Sequence, residues 1–119
     1  MGETSKMRMW MVNPVFLCDR HLLGEHCECH MFAGCISKRK TLTGYIAKQL
    51  LDPASLTLRH KQLVKEMKNR GFSHHSPLGK YQGISSPINS ADSLSDLLKR
   101  CRACSSKYEE YSAGRKPDN

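Results

Sequence analysis

The chain has 119 residues, of which 39% are apolar, and it carries a formal net charge of +8. This length gives room for one domain with a modest core, and the composition excludes a fully disordered chain. No apolar run approaches the roughly 20 residues of a membrane span, and residues 1–6 lack the apolar core of a signal peptide. We therefore expect a soluble, intracellular protein, in the cytoplasm or, where a nucleus exists, in the nucleus.

The first predicted helix begins at Asn13-Pro14. Asn is a favourable N-cap, and Pro suits the first helical turn because its missing N–H would have no partner there. Only Gly24 interrupts the helix-forming residues that follow, up to about Cys35. The pattern therefore predicts one long helix from Pro14 to about Cys35.

The middle of the chain is predicted to form a short helix followed by a longer one. A polar link with Lys-Arg-Lys at residues 38–40 leads to a short helix over residues 44–51. Asp52-Pro53 is a second capped helix start. Gly71 is the expected end of the longer helix, because glycine readily adopts the left-handed backbone that follows a helix.

This longer helix is the main basic element of the chain. Residues 35–72 contain nine Lys and Arg against two Asp and Glu. A focused basic surface attracts polyanions, so nucleic acid is the expected partner, with an anionic membrane surface or a merely solvated basic face as alternatives. We expect the exposed positions of this helix to carry Arg59, His60, Lys61, Lys65 and Lys68. These five residues, with Lys38, Arg39 and Lys40 of the preceding link, are the candidate DNA-binding residues.

The last third of the chain is predicted to hold a loop, a helix and a tail. The loop spans residues 72–89, and a third substantial helix runs from residue 90 to about residue 108. Residues 112–119 are polar and are predicted to be disordered. Because no repeat and no convincing strand is found, the expected fold is all-α: a compact single-domain bundle of about three main helices with long loops.

One face of the first helix carries the residues best suited to chemistry. His21, Glu25 and Glu28 follow one another at spacings of four and three, which places them in a line along that face. Two neighbouring carboxylates repel each other, and this raises the pKa of one of them. A carboxylate near a histidine can act as an acid–base or charge-stabilising pair, while the alternative interpretation is a hydrophilic helix face.

Metal binding is the other chemistry that these residue types permit. His26 and His30 are four apart and can reach one ion, and Cys101-x-x-Cys104 has the spacing of metal ligands. A structural zinc site needs four ligands, however, and no second well-spaced pair is apparent. We therefore expect no metal and no cofactor, with the cysteines as small packing residues.

Two segments of the chain resemble a known family. The first segment is Met7-Arg-Met-Trp-Met-Val-Asn-Pro-Val-Phe-Leu-Cys-Asp-Arg-His-Leu-Leu-Gly-Glu-His-Cys-Glu-Cys-His-Met-Phe-Ala-Gly34. It resembles the N-terminal part of the pyrimidine-dimer DNA glycosylases, the phage-type endonuclease V group. That family's second conserved helix resembles Arg59-His-Lys-Gln-Leu-Val-Lys-Glu-Met-Lys-Asn-Arg-Gly-Phe72, followed by His74 and Ser76-Pro77. The resemblance covers residues 7 to about 78. Residues 7–111 are then expected to form the glycosylase-like helical domain, preceded by a flexible extension at residues 1–6.

The resemblance implies a DNA repair enzyme with glycosylase and abasic-site lyase activity. Enzymes of the family bend the duplex and extrude a base near the lesion. Their N-terminal α-amine displaces the damaged base and forms an imine with sugar C1′, and strand cleavage follows by β-elimination. We expect double-stranded, damaged DNA as the partner, no membrane, and a monomer.

Four residues take catalytic roles by this resemblance. Glu28 matches the catalytic carboxylate, His21 the active-site histidine, and Arg8 the basic residue beside the nucleophilic terminus. The amine itself falls at Met7. Six residues precede Met7, so its nitrogen is a peptide nitrogen unless the chain begins there. The alternatives are a DNA-binding protein that kept the fold without the chemistry, and a basic peripheral protein with no role on nucleic acid.

The chain also departs from the family near the catalytic glutamate. The family has arginines there, where this chain has Cys27 and Met31. His26 and His30 are candidates for the missing positive charge, and therefore for contacts with DNA, in a pH-dependent way. The aromatic, basic C-terminal segment of the family is replaced by residues 97–104.

Overall fold

The computed structural model of the chain describes residues 7–81 and 83–114, and all regular secondary structure in those residues is helical. The all-α prediction is therefore confirmed. Four helices have eleven residues or more, one more than the predicted three main helices. The helices are α1 Asp19–Ser37, α2 Thr43–Ala47, α3 Leu56–Asn69, α4 Ser90–Arg100 and α5 Arg102–Ser112, and short 3-10 turns occupy Pro14–Phe16 and Pro53–Ser55.

The predicted first helix is divided near its start. Asn13 does cap it, because its side chain accepts a hydrogen bond from the backbone N–H of Val15, but the capped element is only the 3-10 turn Pro14–Phe16. Leu17 is extended, with φ −78° and ψ 135°, and is fully buried. The prediction of one helix from Pro14 was therefore wrong, because Leu17 leaves the helical path to enter the core.

The predicted third helix is also two helices, α4 and α5. Asn89 caps α4 by accepting a hydrogen bond from the backbone N–H of Asp92. Cys101 then takes an extended conformation, with φ −130° and ψ 110°, and its Sγ accepts a hydrogen bond from the backbone N–H of Cys104. This cysteine cap ends α4 and begins α5, so the chain bends where helical spacing alone predicted continuity.

The core lies mainly between α1 and α3, which pack against each other, while α4 packs on α5 and α5 on the first 3-10 turn. The N-terminal segment, residues 7–12, is held at this core because the backbone N–H of Met9 donates a hydrogen bond of 2.7 Å to the carbonyl of Leu50. Gly71 ends α3 with φ +89°, as predicted. The fully buried apolar side chains are Met9, Leu17, Leu22, Cys29, Phe32, Leu51, Leu56, Leu63, Leu97 and Cys104.

Two predicted boundaries concern the ends of the chain. The extension at residues 1–6 lies outside the described residues, as do residues 115–119 of the predicted tail. Ser112, where the tail was expected to begin, is instead the last residue of α5. Among the helices of the described ranges, none combines the length and the apolar character that crossing a membrane requires.

Candidate active site

The N-terminal segment runs past the carboxylate of Glu28 on α1. The backbone N–H of Arg8 donates a hydrogen bond of 3.2 Å to Glu28 Oε1. Burial raises the pKa of Glu28 and the nearby charge of Glu25 adds to this, while the hydrogen bond from Arg8 acts in the opposite direction. The Glu28 carboxylate is therefore incompletely hydrated where the N-terminal segment meets α1.

A buried ion pair holds the rest of the N-terminal segment between α1 and α3. Arg59 Nε is 2.7 Å from Glu25 Oε2, Arg59 Nη2 is 2.9 Å from Glu25 Oε1, and both residues are 1% exposed. The same two side chains bind the backbone of the segment: Trp10 N–H donates to Glu25 Oε2, and Arg59 Nη1 donates to the carbonyl of Val12. The pair therefore orients residues 10–12.

The Arg8 side chain turns away from Glu28 and towards α4. Its Nη1 is 3.1 Å from Asp96 Oδ2 and its Nη2 donates to Ser93 Oγ at 3.0 Å. The guanidinium lies over the ring of Trp10, 3.8 Å from the ring centroid, which is the geometry of a cation–π contact. Ser93 Oγ in turn donates to the carbonyl of Trp10, so α4 also fixes the N-terminal segment.

A cluster of three thiols and one imidazole, here called the thiol cluster, lies beside Trp10. It consists of Cys18, His21, Cys101 and Cys104, whose Sγ and ring nitrogen atoms all lie within 4.8 Å of one another. The ring of His21 meets Trp10 edge to face, at 5.7 Å between centroids. These four donor atoms have the number and chemistry of a metal site.

A second cluster contains four imidazoles, those of His26, His30, His60 and His74, and is here called the histidine cluster. His30 and His60 bring their Nε2 atoms within 3.2 Å, so one ring donates to the other. Burial lowers the pKa of His26 to about 4, with repulsion from His30 and His74 adding to it, and burial together with the neighbouring imidazoles lowers the pKa of His60 to about 4. The nitrogen atoms of all four rings also lie within 4.8 Å of one another.

The family model described as "Pyrimidine dimer DNA glycosylase" matches residues 7–79, which is more than half of the chain. The chain belongs to the pyrimidine dimer DNA glycosylase family. The match begins at Met7, where the N-terminal segment starts, and it includes α1, α2 and α3. No curated protein and no solved structure matches the chain.

The residues predicted to be catalytic in this member of the pyrimidine dimer DNA glycosylase family lie in two different places in the structure. Arg8 and Glu28 come together, because the backbone N–H of Arg8 donates to the Glu28 carboxylate, and Met7 directly precedes Arg8 in the chain. His21 belongs to the thiol cluster: its Nδ1 is 3.3 Å from Cys18 Sγ and 3.7 Å from Cys104 Sγ. Burial lowers the pKa of His21, and the charge of Arg20 contributes in the same direction.

The predicted DNA-binding residues of this glycosylase-family chain differ in their exposure to solvent: some are buried and others lie on the surface. Arg59 and His60 are buried and face the interior, so predicting them on the exposed face of the helix was wrong. His26 and His30 lie in the histidine cluster, and with a pKa of about 4 His26 is neutral at neutral pH and supplies no charge to a phosphate there. The remaining basic candidates are all exposed: Lys38, Arg39, Lys40, Lys61, Lys65 and Lys68.

Two features were missed by sequence reasoning. Glu25 has no role by the resemblance, yet it binds both Arg59 and the backbone of Trp10. Cys18-x-x-His21 has the same spacing as Cys101-x-x-Cys104 and is the second ligand pair that the sequence analysis did not find. A search for mixed Cys and His pairs at that spacing would have found it, whereas nothing in the linear sequence joins Glu25 to its partner on α3.

Proposed function

We propose that this chain excises damaged pyrimidines, pyrimidine dimers among them, from duplex DNA and then cleaves the strand at the abasic site. The nucleophile is the α-amine of a chain that begins at Met7. The hydrogen bond between the Arg8 backbone N–H and Glu28 Oε1, at 3.2 Å, is the observation that carries the proposal. Since Met7 directly precedes Arg8, a free amine at Met7 is one residue away from this half-buried carboxylate.

The first step of the proposed reaction releases the base. The lone pair of the unprotonated amine attacks sugar C1′ while the glycosidic bond breaks and its electron pair leaves with the base. One amine proton passes to the departing base. The second passes to O4′ as the C1′–O4′ bond opens, which leaves an imine between the Met7 nitrogen and C1′.

The second step cleaves the strand. A proton leaves C2′, and the electron pair of that C–H bond forms a double bond between C2′ and C3′. The C3′–O bond breaks at the same time, and its electron pair leaves with the phosphate. A proton taken up from solvent by the imine nitrogen assists this step, because the protonated imine withdraws electrons from C2′.

Glu28 acts in this proposal by stabilising positive charge. The attacked sugar and the protonated imine are both cationic, and a carboxylate fixed beside them lowers the energy of the transition state relative to the ground state. Burial makes this effect larger, because charges interact more strongly where water is excluded. The raised pKa of Glu28 reflects the same shortage of water in the protein without DNA.

An α-amine suits the role better than a surface lysine. The pKa of an α-amine is near 8, whereas that of an unperturbed lysine is about 10.4, so a far larger fraction of the α-amine is unprotonated at neutral pH. The N-terminal segment is also held at Arg8, Trp10 and Val12 by hydrogen bonds to α1, α3 and α4. An amine one residue from such an anchor loses little freedom on reaching C1′.

Duplex DNA is bound, in this proposal, by the exposed lysines of α3 and by the basic link after α1. Lys61, Lys65 and Lys68 follow at spacings of four and three on α3, so they form one exposed row. Lys38, Arg39 and Lys40 add three more exposed cations. Contacts of this kind neutralise phosphates and position the duplex without reading its sequence.

Borohydride reduction of the complex with abasic duplex DNA tests the proposal, because hydride converts the imine into a stable cross-link. We expect a chain that begins at Met7 to be trapped at Met7, and the 119-residue chain to be trapped much more weakly. Peptide mapping identifies the cross-linked residue. Equal trapping of both forms at a lysine that both contain would contradict the proposed nucleophile, and so would trapping of the 119-residue chain at Lys6 as strong as the trapping of the shorter chain at Met7. Absence of trapping in both forms, with DNA binding intact, would favour a binding protein without the chemistry.

A further inference from the structure

The thiol cluster joins two distant parts of the chain at the N-terminal ends of two helices. Cys18 is the N-cap of α1 and His21 lies in its first turn, while Cys101 is the N-cap of α5 and Cys104 lies in its first turn. Each pair has the same spacing, so each presents two donor atoms on one side of a helix start. Cys18 and Cys101 are 83 residues apart in the sequence.

Three of the six distances between the donor atoms are close to those expected around a single tetrahedral ion, and all six are within 4.8 Å. With Zn–S bonds of about 2.3 Å and a Zn–N bond of about 2.05 Å, a regular tetrahedron has S–S edges of about 3.8 Å and S–N edges of about 3.6 Å. Cys18 Sγ and Cys101 Sγ are 3.8 Å apart. The ring Nδ1 of His21 is 3.3 Å from Cys18 Sγ and 3.7 Å from Cys104 Sγ. These separations leave space for one ion at the centre.

Backbone N–H groups donate to two of the three sulfur atoms of the cluster, an arrangement that suits sulfur carrying the negative charge of a metal ligand. The backbone N–H of Cys18 donates to Cys104 Sγ at 3.2 Å, and the backbone N–H of Cys104 donates to Cys101 Sγ at 3.4 Å. Hydrogen bonds from N–H groups and the positive ends of two helix dipoles both stabilise negative sulfur. All three cysteines are free, and the 3.8 Å between Cys18 and Cys101 is far from the roughly 2.05 Å of a disulfide.

We propose that Cys18, His21, Cys101 and Cys104 bind one zinc ion as a structural site. Three thiolates and one imidazole nitrogen complete a tetrahedral shell without an open position, which is the arrangement of structural rather than catalytic zinc. Zn²⁺ enters as the three thiols release their protons to solvent, so binding changes no oxidation state. Soft sulfur donors in this number select zinc over magnesium or calcium.

The ion would connect the start of α1 to the α4–α5 corner and would stabilise the packing around it. His21 contacts Trp10 edge to face, and Trp10 lies beneath the Arg8 guanidinium, so the N-terminal segment rests on the thiol cluster through these two rings. Loss of the ion is therefore expected to loosen the N-terminal segment as well as the α4–α5 corner. The proposal depends on the geometry of the four ligands and is independent of the proposed function.

Metal content and a cobalt spectrum of the full chain test the site directly. We expect about one zinc per chain in protein purified without chelators from zinc-replete cells, measured by mass spectrometry of the metal. Co²⁺ put in place of zinc should give the intense visible bands of a tetrahedral ion and the near-ultraviolet charge-transfer band of thiolate ligands. A thiol-specific mercurial should release the zinc, and a strong chelator should lower Tm. Absence of stoichiometric zinc together with absence of the thiolate band would overturn the proposal, without any need of a variant.

Variants then identify the ligands. Cys104→Ser and His21→Ala are expected to lose the zinc, whereas Cys27→Ser, an exposed cysteine outside the cluster, should keep it. His21→Cys should also keep it, because Nδ1 is the ring nitrogen nearer to the backbone and a cysteine thiolate reaches a similar point. This rescue separates ligation from a merely structural role of His21.

The histidine cluster is the competing site for a metal in the described part of the chain. His60→Gln changes that cluster without touching a thiol, so it should leave the zinc content and the cobalt charge-transfer band unchanged. Zinc that stays bound in Cys104→Ser but is lost in His60→Gln would assign the ion to the imidazoles and overturn the proposal.

Discussion

Arg59 of α3 makes a two-bond ion pair with Glu25 of α1, with 2.7 Å between Nε and Oε2 and 2.9 Å between Nη2 and Oε1. Neither residue is more than 1% exposed. The pair binds the backbone at Trp10 and Val12, so it connects the two main helices to the N-terminal segment. Its removal should therefore affect stability rather than contact with DNA.

Substitution of Arg59 by Met tests this structural role. We expect the free energy of unfolding to fall by about 3–5 kcal/mol, because the Glu25 carboxylate is then buried without its partner. Urea denaturation followed by circular dichroism measures the loss. Lys61→Met removes an exposed charge two residues away and should change stability by less than about 0.5 kcal/mol. A stable Arg59→Met variant with weakened DNA binding would show that Arg59 contacts phosphate, as its sequence position first indicated.

Substitution of Glu28 by Gln should abolish base release and spare DNA binding. Gln keeps the shape and can still accept the hydrogen bond from Arg8, but it removes the negative charge from beside the cationic sugar. We expect a loss on the order of 10² or more in the single-turnover rate of base release. The matched control is Glu109→Gln, an exposed glutamate of α5, which should retain the rate of the unchanged protein. Equal rates for the two variants would show that Glu28 has no catalytic role.

The stability of Glu28→Gln distinguishes a lost charge from a damaged fold. Because burial raises the pKa of Glu28 in the folded protein, the ionised form is less favourable there than in the unfolded chain. At neutral pH the Gln variant should therefore be at least as stable as the unchanged protein. Its advantage should shrink as the pH falls and Glu28 becomes protonated. Thermal unfolding at two pH values measures this, and a clear loss of stability at neutral pH would contradict it.

The logarithm of the rate of base release, plotted against pH, should fall with two successive slopes as the pH is lowered. The amine must be unprotonated and Glu28 ionised, so the rate should first fall with a slope of about one below the amine pKa, near 8. The slope should rise to about two once Glu28 is also protonated. Burial and the charge of Glu25 raise the pKa of Glu28, so this steepening should occur above the ordinary glutamate pKa of about 4.3. Single-turnover rates measure the profile, and a slope of one down to about 4.3 would contradict it.

Changing Lys61, Lys65 and Lys68 together to Ala should weaken DNA binding and reduce its salt dependence. Each phosphate that a lysine neutralises contributes a log–log slope of roughly −0.9, so the slope should flatten by about two to three units. Fluorescence anisotropy with duplex DNA at several salt concentrations gives the slope. A control with the same change of charge away from α3 replaces Lys80, Lys99 and Lys107 by Ala, and it should keep the slope. An equal effect of the two triple variants would mean that net charge, rather than the row on α3, sets the affinity.

Much of the fold and part of the site could be predicted from local sequence. The all-α class follows from helical spacing without a convincing strand, and Gly71 ends α3 because a left-handed backbone at that position suits glycine. Family membership follows from the match over residues 7–79, which are contiguous in the chain. Such features need only neighbours within a few residues, so they can be read before the chain is folded.

What the sequence by itself determined was therefore the helical class, several helix ends, the basic middle of the chain and the candidate carboxylate at Glu28. Only the tertiary structure decided that Arg59 is buried against Glu25 and that Cys18 and His21 meet Cys101 and Cys104. Helical spacing indicates which residues share a face, but not which other helix covers that face. Contacts between residues tens of positions apart depend on the order and packing of whole helices, and this is also why the chain bends at Leu17 and Cys101, where local preferences predicted continuous helix.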